Sequence, residues 1–209
     1  MGARTSSHVP LPLFQQAEQW FQRAQAALLG AIPCRRGCCQ CCTGTFPITQ
    51  LDALELQLGL DTLPSMERDA IVTRARAQIA TLETAYPVLR SRPGLDEWDD
   101  RTVDEVVERF SELPCPALTA DGACGMYAFR PMTCRTMGIP IESDGLVQGP
   151  CAVQTAVPII RLMPSLRIDE DRLAEDEAVS LSILRRAKSA SGEELLLPYG
   201  FLPTHGFSP

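Results

Sequence analysis

The chain reads as mainly α, a helical domain with irregular cysteine-rich metal-binding loops and at most a few short strands. Three observations carry that reading. Apolar residues recur at three- and four-residue spacing from Leu13 to Leu28 and from Ile71 to Tyr86, the period of one helix face. Glycine or proline stands at the end of each run, at Gly30 and Pro33 and again at Pro87. Between these runs, the stretch from Cys34 to Cys42 reads C-R-R-G-C-C-Q-C-C and holds five of the chain's nine cysteines.

Taken in order, Leu13–Leu29 is an amphipathic helix whose inner face is Leu13, Ala17, Trp20, Phe21, Ala24 and Leu28. The cysteine cluster follows in a Gly-containing loop. A second helix starts near Thr49, with Asp52 three residues on, and carries Leu51, Leu54 and Leu58 as far as Gly59. A third begins at Ser65 and places Ile71, Ala75, Ile79, Leu82 and Tyr86 on one side. Ser91–Asp100 is a polar connector, after which Thr102 and Glu105 have the spacing of a capping box before Val103, Val106, Val107 and Phe110. From Cys115 to Cys151 the text is loop-like, with Asp121-Gly122 as a turn and short strand candidates at Met137–Ile141 and Leu146–Val147. A last long helix is expected from about Asp169 to Ala190, and Leu195–Pro209 is expected to pack irregularly. These pieces make one domain over 1–209: an N-terminal helix at 13–29, a metal-chelating core at 34–151, and a C-terminal helix and tail at 165–209.

Composition narrows the function classes. The net charge is −7, from 19 basic and 26 acidic residues. A chain with that balance and no basic stripe is a poor partner for nucleic acid, whose phosphates demand Lys and Arg. No stretch reaches the roughly 18 apolar residues of a membrane span, and the N-terminal residues lack the apolar core of a signal peptide. No nucleic acid and no membrane are therefore expected as partners, and a cytoplasmic location is expected. In a reducing compartment, spaced cysteines serve as ligands or catalysts more often than as disulfides. A disulfide framework would also leave one of nine cysteines over.

The cysteines fall into a dense cluster and a spaced set, Cys115, Cys124, Cys134 and Cys151. Soft thiolates match Zn²⁺, Cu(I) and iron–sulfur clusters. Cys38 with Cys41, and Cys39 with Cys42, stand at the C-x₂-C spacing that places two thiolates on one ion, while Cys34 and Cys38 stand at C-x₃-C. Adjacent side chains diverge in extended backbone, so the pairs Cys38-Cys39 and Cys41-Cys42 favour two metal positions or a polynuclear cluster over one shared ion. The long spacings of the second set fit separate loops that each bring one thiolate. Arg130 and Arg135 bracket Cys134. Their guanidinium groups would offset thiolate charge and donate to sulfur; the plainer alternative is an ordinary surface ion pair. The acidic run around Trp98, Asp96, Glu97, Asp99 and Asp100, reads as a solvated loop.

The cluster, followed by C-P-A-L, D-G-A-C-G-M-Y, R-P-M-T-C-R and a final cysteine, resembles the YkgJ-type cysteine-cluster family, described as a zinc- or iron-chelating domain. Its pattern runs C-x₂-C-x₂-C-C, C-x-x-L, C-x-x-Y-x-x-R-P-x-x-C-R, then one more cysteine. The resemblance implies Cys34, Cys38, Cys41, Cys42, Cys115, Cys124, Cys134 and Cys151 as metal ligands, with Tyr127, Arg130, Pro131 and Arg135 as accompanying residues around the bound cofactor. This chain departs at the start, where C-x₃-C replaces C-x₂-C and Cys39 is extra, so Cys39 is an alternative to Cys38. A related domain occurs in flagellin lysine N-methylase, but no G-x-G-x-x-G methyl-donor fingerprint is present here.

The expected function is a metal-binding protein holding zinc or an iron–sulfur centre, the vicinal cysteines leaning towards iron–sulfur. The alternatives are an iron–sulfur-dependent enzyme or modification component, and a metal-handling chaperone or sensor. His8 and His205 lie in the terminal segments, so a histidine-based hydrolytic zinc site is not expected, and no catalytic residue is assigned.

Overall fold

A computed structural model of the chain describes residues 12–28, 38–143, 146–148, 161–188 and 192–203. The mainly α expectation holds. Helix α1 spans Pro12–Ala27, and β1 (Pro47–Thr49) leads into α2 (Gln50–Thr62) and the long α3 (Ser65–Ala85). A 3₁₀ turn at Pro87–Arg90 precedes α4 (Asp100–Arg109). The short α5 (Met132–Thr136) is followed by β2 (Ile141–Ser143), β3 (Leu146–Gln148), α6 (Pro164–Lys188), β4 (Glu194–Leu196) and α7 (Leu197–Gly200). No helix among the described residues is long and apolar enough to cross a membrane.

The buried side chains gather in three clusters. The α1 face (Leu13, Phe14, Ala17, Trp20, Phe21, Ala24) packs with Met132 of α5 and with Leu166 and Leu173 of α6. The Trp20 indole N–H donates to the Leu166 carbonyl at 2.7 Å, satisfying the one polar atom of a ring that is otherwise fully buried. A second cluster joins β1, α2 and α3 to Ala117, Met126, Leu195, Leu197 and Phe201. Cys115 and Cys124 pack on its edge. The third, around Leu82, Leu89, Val106 and Phe110, closes the α3–α4 end.

Five elements differ from the sequence-based expectation, among them the last long helix, which begins at Pro164 rather than near Asp169. Helix α2 does not stop at Gly59 but runs through it to Thr62, and the glycine is explained by packing: a Cβ there would stand 2.5 Å from Met126 Cε and 2.6 Å from Phe129 Cβ. Its buried residues are Leu51, Asp52, Ala53, Glu55, Leu56, Gly59 and Leu60 rather than a Leu54–Leu58 stripe, since it is packed on several sides. Helix α4 is capped by Asp99, whose carboxylate accepts from the Thr102 N–H at 2.9 Å and from the Thr102 hydroxyl at 3.0 Å. Glu105 pairs instead with Arg101 at 3.1 Å. A carboxylate at the N-cap satisfies the free amides and meets the positive end of the helix dipole, so the cap falls three residues earlier than the T-x-x-E spacing suggests. Residues 195–200 are not irregular: β4 pairs antiparallel with β1, Ile48 opposite Leu195, and α7 is buried behind it, while 204–209 lie outside the described residues. The first strand candidate shifts to Ile141–Ser143, paired with Leu146–Gln148.

The β1–α2 junction carries the capping box expected at Thr49. The Asp52 N–H donates to the Thr49 hydroxyl at 3.2 Å, and the Thr49 N–H donates back to the Asp52 carboxylate at 3.0 Å. The Thr49 hydroxyl also donates to Glu177 of α6 at 3.3 Å. Burial and the neighbouring Asp52 charge push the Glu177 carboxyl up to about 7.

Two predictions follow from this packing. The folded state binds a proton on Glu177 that the unfolded chain releases near 4.5. That contribution to stability is complete below pH 4.5 and is lost as pH rises towards 7. Glu177→Gln should therefore flatten the decline in urea midpoint across that window, and be more stable than the parent above it. Gly59→Ala should lower stability by about 1–3 kcal/mol through overpacking against Phe129, offset by up to about 1 kcal/mol of helix propensity, in urea titration of chelator-treated protein.

Candidate metal centre

The described cysteines reach one region from three segments. Residues 39–42 form a turn in which the Cys42 N–H donates to the Cys39 carbonyl at 2.9 Å. Because this backbone is turned rather than extended, the adjacent Cys41 and Cys42 do not diverge: their thiols are hydrogen-bonded to each other. The divergence expected of vicinal cysteines does not apply to this pair. The segment then docks alongside residues 113–115. The Cys115 N–H donates to the Cys42 carbonyl at 2.7 Å and the Gly44 N–H to the Leu113 carbonyl at 2.6 Å. Gly44 has φ +85°, a left-handed conformation that favours glycine, and a Cβ added there would stand 3.3 Å from the Ser111 carbonyl oxygen.

Cys115 and Cys124, expected on separate loops, occupy two arms of one hairpin. The Gly125 N–H donates to the Ala117 carbonyl at 2.8 Å and the Thr119 N–H to the Ala123 carbonyl at 2.9 Å, with the Asp121-Gly122 turn at the tip. Helix α3 holds the first arm: Arg74 Nε donates to the Pro116 carbonyl at 2.7 Å and Gln78 to the Pro114 carbonyl at 2.6 Å. The Ala117 amide is aimed at the Cys115 sulfur and the Met126 amide at the Cys124 sulfur, while the Leu118 N–H donates to the Cys115 carbonyl at 2.9 Å. Backbone N–H groups aimed at sulfur favour thiolate over thiol. Cys134 comes from α5.

The sulfurs act on one another electrostatically. Burial pushes Cys115 up to about 12, with the Cys124 charge adding to it and Arg74 opposing. Burial also raises Cys124, opposed by Arg130, and raises Cys134 well above the usual thiol range, with Cys115, Cys124, Cys41 and Asp52 adding to it. Cys42 is raised because it donates to Cys41. Cys41 is held down to about 7, first by that hydrogen bond and further by Arg130. Four thiols that resist ionising, set beside one that ionises readily, are a donor set that a bound cation would convert to thiolates, so the residues fit a thiophilic metal. Among the described residues no three Cys, His, Asp or Glu side chains close to ion-holding geometry. Cys38 and Cys39 are half-buried where the described stretch begins. Cys34 and Cys151 lie outside the described residues.

The arginines of the R-P-M-T-C-R segment are not surface residues. Arg130 and Arg135 are 5% and 3% exposed. Arg135 donates from Nε to the Arg130 carbonyl at 2.9 Å and from Nη2 to the Ala128 carbonyl at 2.8 Å. Its remaining contacts are Glu18 of α1 at 3.0 Å and Glu55 of α2 at 3.5 Å. Arg130 donates to the Tyr127 carbonyl at 2.8 Å and pairs with the same Glu18 oxygen at 2.9 Å. Its guanidinium stacks 4.0 Å over the half-exposed Tyr127 ring. The fully buried Asp52 accepts from the Met132 N–H at 2.7 Å, so the capping box of α2 also pins the start of α5, two residues before Cys134.

Glu18, Asp52, Glu55 and Arg74 thus position the site, and none was a candidate from the sequence. Asp52 alone gave a signal there, as a helix-cap residue.

This helical, thiol-rich arrangement is that of a metal-chelating module. The chain belongs to the CxxCxxCC family, described as a putative zinc- or iron-chelating domain, whose profile matches residues 33–152. No significant match was found among curated proteins or among solved structures.

Arg135→Ala should cost about 3–5 kcal/mol, because it strands the fully buried Glu55 and half the pairing of Glu18. The difference in unfolding free energy between the chelator-treated variant and parent measures it.

Proposed function

We propose that the chain is a metal-holding module whose centre is polynuclear, an iron–sulfur cluster in preference to a single zinc ion. The observation that carries this reading is the convergence of Cys41, Cys42, Cys115, Cys124 and Cys134 from a turn docked on residues 113–115, the hairpin that continues from them, and the short helix α5. Five sulfurs exceed the four positions of one tetrahedral zinc. Cys34, Cys151 and either Cys38 or Cys39 complete the proposed ligand set. When bound, a cluster supplies one-electron transfer, and zinc supplies a structural cross-link. The chain's own contribution is to bury the sulfurs against the α2–α3 core, to aim the Ala117 and Met126 amides at them, and to hold α5 in place. Arg74 and Arg130 lower the cost of ionising Cys115, Cys41 and Cys124.

Metal and acid-labile sulfide analysis of anaerobically purified protein tests this directly. Iron with matching sulfide and a broad absorption near roughly 400 nm is the expected result. Colourless protein with stoichiometric zinc would reject the cluster and retain the module, and folded protein with no metal would reject both. Cys124→Ser and Cys134→Ser should lose most of the metal and lower the melting temperature, because binding energy at such a site is also folding energy. A double-serine variant that keeps the parent melting temperature would reject a fold-supporting centre.

A further inference from the structure

Helix α6 (Pro164–Lys188) lies on the body through one face. Leu166 and Leu173 are buried with the α1 residues, and Leu181 and Leu184 pack on the same cluster. About a third of a turn around the helix, a second line of residues runs through Asp176, Val179, Ile183 and Arg186. All four are exposed, Val179 by 59% and Ile183 by 61%. Their spacing of three, four and three is the spacing with which one helix meets another along a seam. An exposed valine beside an exposed isoleucine is ordinary by itself; the charges at the two ends of this pair are not. Val179 and Ile183 stand equally far from position 181, and so do Asp176 and Arg186, with opposite signs. Neighbouring charges on α6 are used within the chain, Arg172 on Asp169 at 3.4 Å and Arg185 on Glu193 at 2.8 Å. Among the described residues, no ion pair uses Asp176 or Arg186.

We infer that α6 pairs with α6 of a second copy of this chain, antiparallel and two-fold about position 181. In such a pair, residues equidistant from the symmetry point lie at the same height and face one another, and each contact occurs twice. Val179 meets Ile183 of the second copy at the centre, and Asp176 meets Arg186 of the second copy at both ends. The apolar centre is removed from water, and the two ion pairs fix register and direction. A parallel pairing would set Asp176 against Asp176 and Arg186 against Arg186, which like-charge repulsion disfavours. A membrane surface calls for a basic margin along the apolar face, which Asp176 opposes. The contact runs for about three turns and covers less than the roughly 800 Å² per copy of a standard interface. The pairing is accordingly weak, with a dissociation constant on the order of 10–100 µM. It does not depend on the metal centre.

Sedimentation velocity on the full chain tests this, from roughly 5 µM to roughly 1 mM with the thiols kept reduced so that cross-links cannot mimic the contact. The parent should pass from monomer to dimer across that range. Ile183→Glu, which sets a carboxylate against Val179 of the second copy, should leave only monomer. Asp176→Arg brings two guanidinium groups together at each end, and Arg186→Asp brings two carboxylates together. Each alone should weaken the pairing by about tenfold or more. An equal mixture of these two single variants should form a heterodimer, and the chain carrying both changes should regain the parent's dissociation constant, because each restores opposite charges at both ends. These positions are exposed, so every variant should keep the parent's melting temperature, which separates lost pairing from lost fold. A parent that stays monomeric throughout, single variants that dimerise as the parent does, or a mixture that remains monomeric would overturn the inference.

Discussion

The buried guanidinium of Arg135 is the interaction around which the rest of the centre is arranged. Helix α5 is only five residues long, well short of the length at which a helix persists without tertiary support. Its geometry is imposed from outside, by Asp52 at its first amide and by Arg135 from its own last turn. Through Glu18 and Glu55 the same guanidinium touches α1 and α2, so three elements distant in sequence are brought to one side chain. Cys134 is placed as a by-product of that convergence. A lysine could not reproduce it, because the arrangement uses the planar fork of donors and not merely the charge.

The remaining thiols are placed by backbone. Short ladders between residues 42–44 and 113–115, and across the 115–125 hairpin, set Cys42, Cys115 and Cys124 with main-chain hydrogen bonds. The helical frame supplies the anchoring groups, Arg74 and Gln78 from α3 and the flat surface at Gly59 from α2. Membership of a zinc- or iron-chelating family agrees with that division of labour, in which helices form the support and irregular segments the donor set.

Much of this was legible in the sequence. Apolar period located α1 and α3 almost to the residue, and cysteine spacing identified the segments that meet. What was hidden depended on tertiary contact. Gly59 reads as a helix stop until Met126 and Phe129 are seen against it. The vicinal pair Cys41-Cys42 reads as divergent until its turn is known. Glu18 falls on the polar face of an amphipathic helix and resembles any solvated glutamate, because its partners lie more than a hundred residues away. The role of Asp99 was masked by a T-x-x-E spacing one turn further on. Cys34 and Cys151 fall outside the described residues, so the ligand roles assigned to them remain a reading of the family pattern.

The pairing of β1 with β4 bears on when the centre can be assembled. The strand that follows the cysteine cluster by five residues is completed by Glu194–Leu196, and α7 immediately beyond is sealed into the same core as α2. On a ribosome, the cluster emerges long before its scaffold can close. A nascent chain would hold several reduced, exposed sulfurs for the time needed to synthesise about 150 more residues, tens of seconds at ordinary elongation rates. Metal delivered to a centre already backed by β4 and α7 would arrive after that interval, during which these thiols would be open to oxidation or to capture of the wrong ion.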